Sequence, residues 1–235
     1  MSLLYYSFWG LFPTAIRAYC KTEYVYERGT TSLVRRMLQK DLVFVDAGAH
    51  VGHYTLLASK LCSQVYAFEP APENFAALEQ LVKTNELRNV QYYPYAVWKE
   101  RVILPFYLHN DSSAHSLIGT TGKFMNVQAV SLGEILRDED NIAVKADVEG
   151  AELYVIEGMR RILSEGRVRF MIVEFYDKII PVALAHKCFE IYRAIGEVFV
   201  IERNGIRKAT NINSIPSYCN LLVVPTRQRA RELPK

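Results

Sequence analysis

An apolar run that breaks at an acid and two glycines constrains this chain more than any other feature in it. Residues 42–48 (LVFVDAG) pass through Ala49-His50-Val51 to Gly52, and residues 52–61 (GHYTLLASKL) follow with helical spacing. A short, β-rich apolar run with no polar alternation predicts a strand buried on both faces. Gly48 permits a tight turn at its end, and Gly52 lets the helix pack close to the strand. The first turn of that helix then offers free N–H groups to whatever sits above it.

The same alternation continues. Residues 64–69 (QVYAFE) predict a second strand, closed by Pro70 and Pro72. Phe75, Leu78, Leu81 and Val82 fall at helical spacing, and residues 90–98 predict a third strand. Strands are expected again at 142–148, 168–175, 197–203 and 217–225, with helices at 151–163 and 181–195. Shorter strands at 102–109 and 126–130 flank a polar loop, 110–123, and Ser131 with Glu134 predicts a capping box for a helix at 132–136. The expected fold class is α/β: a Rossmann-like, seven-stranded, mostly parallel sheet with helices on both faces. The last two strands are expected to pair antiparallel. This domain spans 41–225, after an N-terminal helical and aromatic cap at 1–40 and before a basic polar tail at 226–235.

Composition narrows the function classes. Half of the 235 residues are hydrophobic and 23% are charged, which suits a packed domain and excludes a disordered chain. The net charge of +3 is unevenly spread: residues 1–40 carry six basic and two acidic side chains, and the last ten residues carry four and one. The body between is slightly acidic, a poor match for a large nucleic-acid footprint. Cys20, Cys62, Cys188 and Cys219 form no C-x-x-C pair, which predicts reduced thiols in a cytoplasmic protein. Residues 3–12 (LLYYSFWGLF) are too short to span a bilayer and follow no basic segment, so they do not read as a secretory leader. We read them as a cap on the body; contact of residues 3–20 with a membrane surface, or a homodimer seam, are the other readings.

The chemistry concentrates at strand ends. Glu69 closes the second strand 23 residues after Asp46. A carboxylate there can accept both ribose hydroxyls of an adenosine group. A dinucleotide calls for G-x-G-x-x-G, whereas this chain has Gly48-x-x-x-Gly52. S-adenosylmethionine has no pyrophosphate for Asp46 to repel, and its ammonium group suits that acid. S-adenosyl-L-methionine is therefore preferred to NAD. A second acidic group, Asp147, Glu149 and Glu152, leaves the strand at 142–148, and Glu174 ends the next one. Glu152 is open to two readings, a first-turn carboxylate complementing the helix dipole or a functional acid.

Residues 44–57 (FVDAGAHVGHYTLL), 67–70 (AFEP) and 145–152 (KADVEGAE), with 131–136 (SLGEIL) before the last, resemble the FkbM-type methyltransferase family in order and spacing. The resemblance runs from about residue 27 to 174. It implies a class I methyltransferase sheet, S-adenosylmethionine as donor and S-adenosyl-L-homocysteine as product, with hydroxyl groups on sugars, polyketides and related metabolites as acceptors; a hydroxyl on a sugar, lipid or other small metabolite is the acceptor expected here. By position it places Asp46 and Gly48 to Gly52, Ala49 and His50 included, at the methionine end of the cofactor, with Tyr54 and Thr55 as further cofactor-binding residues. Glu69 with Pro70 falls at the ribose, Ala96 and Val97 beside the adenine, and Asp147 near the methyl. The chain departs from the family pattern at His50, where Asn is usual, and at His53, where an aromatic is common.

For the base that takes the acceptor's proton, the candidates are Asp147, Glu174 and His115, the last in the polar loop. No metal ligand is assigned; Mg²⁺ held by Asp147 and Glu174 is the less favoured reading. Rival functions are N-methylation of a protein or nucleic acid, a binding module without turnover, and a dehydrogenase. Tyr5, Tyr6, Phe8, Trp9, Phe12, Tyr19, Tyr24 and Tyr26, set among Arg17, Lys21 and Arg28, can stack bases or bind a glycolipid face, though a cap on the cofactor pocket or a dimer seam is the preferred reading. Against base methylation, the Asn/Asp-Pro-Pro-aromatic motif of amino-methylating enzymes is absent from the sequence.

Overall fold

In the computed structural model, which describes residues 27–109, 115–119, 122–177 and 181–226, strand β1 (Val43–Ala47) is buried along its whole length. A strand covered on both faces needs this unbroken apolar pattern. It runs parallel to β2 (Gln64–Phe68) on one side and to β7 (Ile142–Ala146) on the other. β3 (Val90–Tyr93) and β8 (Val168–Tyr176) extend the parallel sheet outward. β11 (Tyr218–Pro225) inserts antiparallel between β8 and β9 (Gly196–Glu202).

The expected seven strands are therefore joined by an eighth, and the sheet is mixed, in the order β10-β9-β11-β8-β7-β1-β2-β3. β10 (Gly205–Lys208) pairs antiparallel with β9 across Arg203-Asn204. The two last strands of the sequence reading do pair antiparallel, as expected.

Three further expectations are corrected. The third strand is two elements: Pro94 has no N–H for the ladder, and beyond it β4 (Ala96–Trp98) joins a second sheet, β4-β6-β5, with β5 (Val102–Tyr107) and β6 (Phe124–Ser131). The capping box does not form. The Ser131 hydroxyl donates instead to the Gly158 carbonyl at 2.8 Å, and Glu134 pairs with Arg101 at 2.7 Å. That bond draws a carbonyl out of the neighbouring helical ladder, where the single helix expected at 151–163 divides into Glu152–Gly158 and Arg160–Ser164.

Helices cover both faces. α1 (Arg28–Met37), α2 (His53–Ser59) and α3 (Pro72–Thr84) share one core with Phe44, Ala143, Ile172 and Leu222 of the sheet. α4 (Leu132–Ile135), α5 (Glu152–Gly158), α6 (Arg160–Ser164) and α7 (Val182–Ile195) pack on Val45, Val144 and Val173 of the other face. Of the expected cap at 1–40, the described part is thus a helix seated on the sheet. The aromatic run through Tyr26, Cys20, residues 110–114 and 120–121 of the polar loop, and tail residues 227–235 lie outside the described residues.

Candidate active site

The strand order reverses direction of growth at β1, between β2 and β7, and parallel sheets bind ligands at the carboxyl ends of strands at such a point. A cavity of about 1100 Å³, its open mouth included, lies there. The turns after β1 and β7 form its floor. The Asp147 N–H donates to the Ala47 carbonyl at 3.0 Å. Gly48 has φ +80°, and a Cβ on it would collide with the Asp147 carbonyl, so only glycine lets these turns touch. Gly52, at φ +93°, presses against Leu78 and Leu81 of α3, which fixes where α2 begins.

Glu69 stands at one end of the cavity. Its carboxylate accepts the His50 N–H at 2.8 Å and the Ala71 N–H at 2.9 Å. His50 reaches it from a left-handed conformation, φ +50°. Burial raises the Glu69 carboxyl to about 7 against the pull of those donors. Pro70, Asn74, Tyr95, Ala96 and Val97 wall the same end.

The other end is acidic, and the register explains why. Asp46, Lys145, Glu174 and Asn220 each lie two residues from Phe44, Ala143, Ile172 and Leu222 on the same strands, so they share the α1/α2 face. That face is apolar through the sheet centre and turns polar at the strand ends. Lys145 is 2% exposed, donates to Asp147 Oδ2 at 2.6 Å and lies 4.7 Å from the Tyr54 ring centroid. Tyr54 donates to Glu27 at 2.5 Å, and Asn220 donates to the other oxygen of Glu27 at 2.8 Å, which ties the start of α1 to the site.

Glu174 is 5% exposed, and its Oε2 has no hydrogen-bond partner among the described residues. Burial, then the charges of Asp147, Glu149 and Glu152, hold its carboxyl well above the usual range. Glu152 accepts the Val148 and Gly150 N–H groups at 3.1 and 3.3 Å, so it ties down the β7 turn. His53 accepts or donates a bond with Thr31 at 3.2 Å, and burial lowers it to about 4, which keeps it neutral.

Most residues expected at the cofactor and the reacting atoms lie on this one cavity: Gly48, Ala49, His50, Tyr54, Glu69, Pro70, Ala96, Val97, His115, Asp147 and Glu174. Asp46, Gly52 and Thr55 do not line it. Asp46 is 2% exposed and accepts from the Thr55 hydroxyl at 2.6 Å, behind the wall. His115 Nδ1 accepts the His109 N–H at 2.9 Å, so the neutral ring carries its proton on Nε2 and presents a donor. Lys145, Phe106, Leu117 and Tyr218 line the cavity without having been singled out as site residues. Tyr218 comes from β11, whose place beside β8 no local pattern reveals.

A mixed sheet in this order, with its cavity above β1 and β7, is the fold of class I methyltransferases. The structure of a methyltransferase FkbM from Methylobacillus flagellatus superposes with a TM-score of 0.50 at 17% identity, over 79% of this chain and 43% of that one. An rRNA methylase from Streptococcus thermophilus superposes at 0.51 and 14% identity, over 87% of this chain and all of that one. The family follows from sequence: residues 46–186 match the methyltransferase FkbM domain, and the chain belongs to that family. Hexuronic acid methyltransferase AglP of Haloferax volcanii is 29% identical over 168 residues, 66% of this chain and 65% of the relative. Methyltransferase 1 of Beauveria bassiana is 24% identical over 146 residues, 51% of this chain and 59% of the relative. The chain thus spans less than two thirds of either curated relative. Among the described residues no helix is long and apolar enough to cross a membrane.

Proposed function

We propose that the chain transfers the methyl group of S-adenosylmethionine to a hydroxyl oxygen of a sugar, lipid or other small metabolite. The observation that carries this reading is the polarity of this cavity. Glu69, held by the His50 and Ala71 N–H groups, stands at one end, and Asp147 and Glu174 stand at the other, across the Gly48–Gly52 turn, while His115 lines the cavity against Phe106. The first end suits a ribose and the second an acceptor. The match to the FkbM methyltransferase family supports the donor, and the hexuronic acid methyltransferase relative supports a sugar-like acceptor.

In this reading the acceptor oxygen attacks the sulfonium methyl in line, the C–S bond breaks and S-adenosylhomocysteine leaves. Holding oxygen and methyl in a near-attack geometry supplies most of the acceleration. The hydroxyl proton passes to a carboxylate of the acidic end, with Lys145 balancing the charge on Asp147. His115 donates from Nε2 to an acceptor oxygen and steers it.

The test is transfer of isotope-labelled methyl from S-adenosylmethionine to a panel of hydroxylated sugars, uronic acids and glycolipids. Label appearing in an alkali-stable methyl ether supports the reading. Label found only as an alkali-labile methyl ester, or in none of the panel, would overturn methylation of a hydroxyl.

A further inference from the structure

We propose that Asp147, Glu149 and Glu174 bind one divalent cation, of the Mg²⁺ or Mn²⁺ class, which clamps two adjacent oxygens of the acceptor. One ligand oxygen from each of the three lies within 4.8 Å of the others. Oxygens around a hard cation at roughly 2.1–2.5 Å fall within about 5 Å of each other even when opposed, so the three fit a single ion. The donor set is oxygen only, which favours Mg²⁺ or Mn²⁺ over zinc.

Three acids at a strand end are not by themselves a site. The second observation is Glu174 Oε2. It is buried in a side chain only 5% exposed and has no hydrogen-bond partner among the described residues, yet Glu174 faces the cavity. A buried carboxylate oxygen left without a donor costs free energy unless something completes it. The Tyr218 hydroxyl bonds the Glu174 side chain and the Lys145 ammonium donates to Asp147 Oδ2, and Oε2 still has no partner among the described residues.

The backbone also commits to this arrangement. Glu149 takes the left-handed conformation, φ +52°, in a turn held by the Glu152 carboxylate through the Val148 and Gly150 N–H groups. That conformation is uncommon outside glycine and asparagine. From that turn an oxygen of the Glu149 carboxylate comes within 4.8 Å of one from Asp147 and one from Glu174.

Three protein oxygens leave positions open on the ion, and an acceptor with vicinal oxygens would fill two of them. The acceptor class is then a diol, or a hydroxyl beside a carboxylate. What the ion does rests on the methyl-transfer reading; whether it binds does not.

The test is titration of the full chain with Mn²⁺ alone, read by electron paramagnetic resonance, with competition by Mg²⁺. One tightly bound Mn²⁺ per chain is expected, weakened at least tenfold in Glu174→Gln and in Glu149→Gln, and unchanged in the distant Glu197→Gln. Far-UV circular dichroism checks that each variant is folded. Should Glu174→Gln fail to fold, Glu149→Gln carries the test, because Glu149 is half-buried in a turn. No tight Mn²⁺, or equal binding by a folded variant, would overturn the site. S-adenosylmethionine binding is measured separately, so a protein that binds the cofactor but no Mn²⁺ sinks the metal site alone.

Discussion

At the scale of single residues, Glu69 is the best test of the cofactor end. Its carboxyl is raised to about 7 by burial, and a ribose hydroxyl needs the ionised form as acceptor. The ionised fraction changes about tenfold between pH 8 and pH 6 for such a group. S-adenosylmethionine affinity is therefore expected to fall about tenfold over that interval, measured by calorimetry at each pH. Glu69→Gln should bind weakly at both and lose the dependence; a variant that keeps the wild-type slope would assign the titration elsewhere. Glu27 makes a second residue-scale case. It joins Tyr54 and Asn220, so Glu27→Ala should cost about 1–3 kcal/mol and raise amide exchange in α1 before the rest of the domain. Uniform exchange across the chain would contradict the tether.

At the scale of elements, the turns after β1 and β7 act as one unit because Gly48 lets them touch. Gly48→Ala should cost more than about 2 kcal/mol in denaturant unfolding and weaken cofactor binding with it. Gly122 is the comparison, since it has φ +105° but open space around a Cβ, and Gly122→Ala should cost only about 1 kcal/mol. Equal costs would mean that the collision with Asp147 is relieved cheaply. These elements also show what the sequence makes legible. The glycine turn, Glu69 and the 145–152 segment announce themselves because each depends on neighbours along the chain. β10 is equally local: Asn204-Gly205 is a hairpin signal, and β10 pairs back on β9 directly after it. The split of the third strand was likewise written in Pro94. The polar pairs Asp46–Lys145 and Glu174–Asn220 are not legible as neighbours, since each meets only through the register of two strands. Asp46 is expected at the cofactor from its place in the motif, and the fold gives its carboxylate the Thr55 hydroxyl as a partner, a contact the motif does not announce.

At the scale of the whole molecule, the site is held in place at a cost in stability. Burial raises Asp46 to about 6 and Glu69 and Glu152 to about 7, all above the values such groups have in an unfolded chain. The native state then binds these protons more tightly than the unfolded one. Their contribution is fully present below about pH 4 and is lost as pH rises through 6 to 7. The melting temperature of the ligand-free protein is expected to fall between about pH 5 and pH 8. A midpoint that climbs over this range would show that these acids are ionised and well paired in the fold. The measurement that tests the central claim most directly is calorimetric titration of the whole chain with S-adenosylmethionine and, separately, with NAD. Saturable binding of one S-adenosylmethionine per chain, weakened by Glu69→Ala, with no heat from NAD, is the predicted result. Binding of NAD and none of S-adenosylmethionine would contradict the reading of the glycine turn, and the proposed methyl transfer would fall with it.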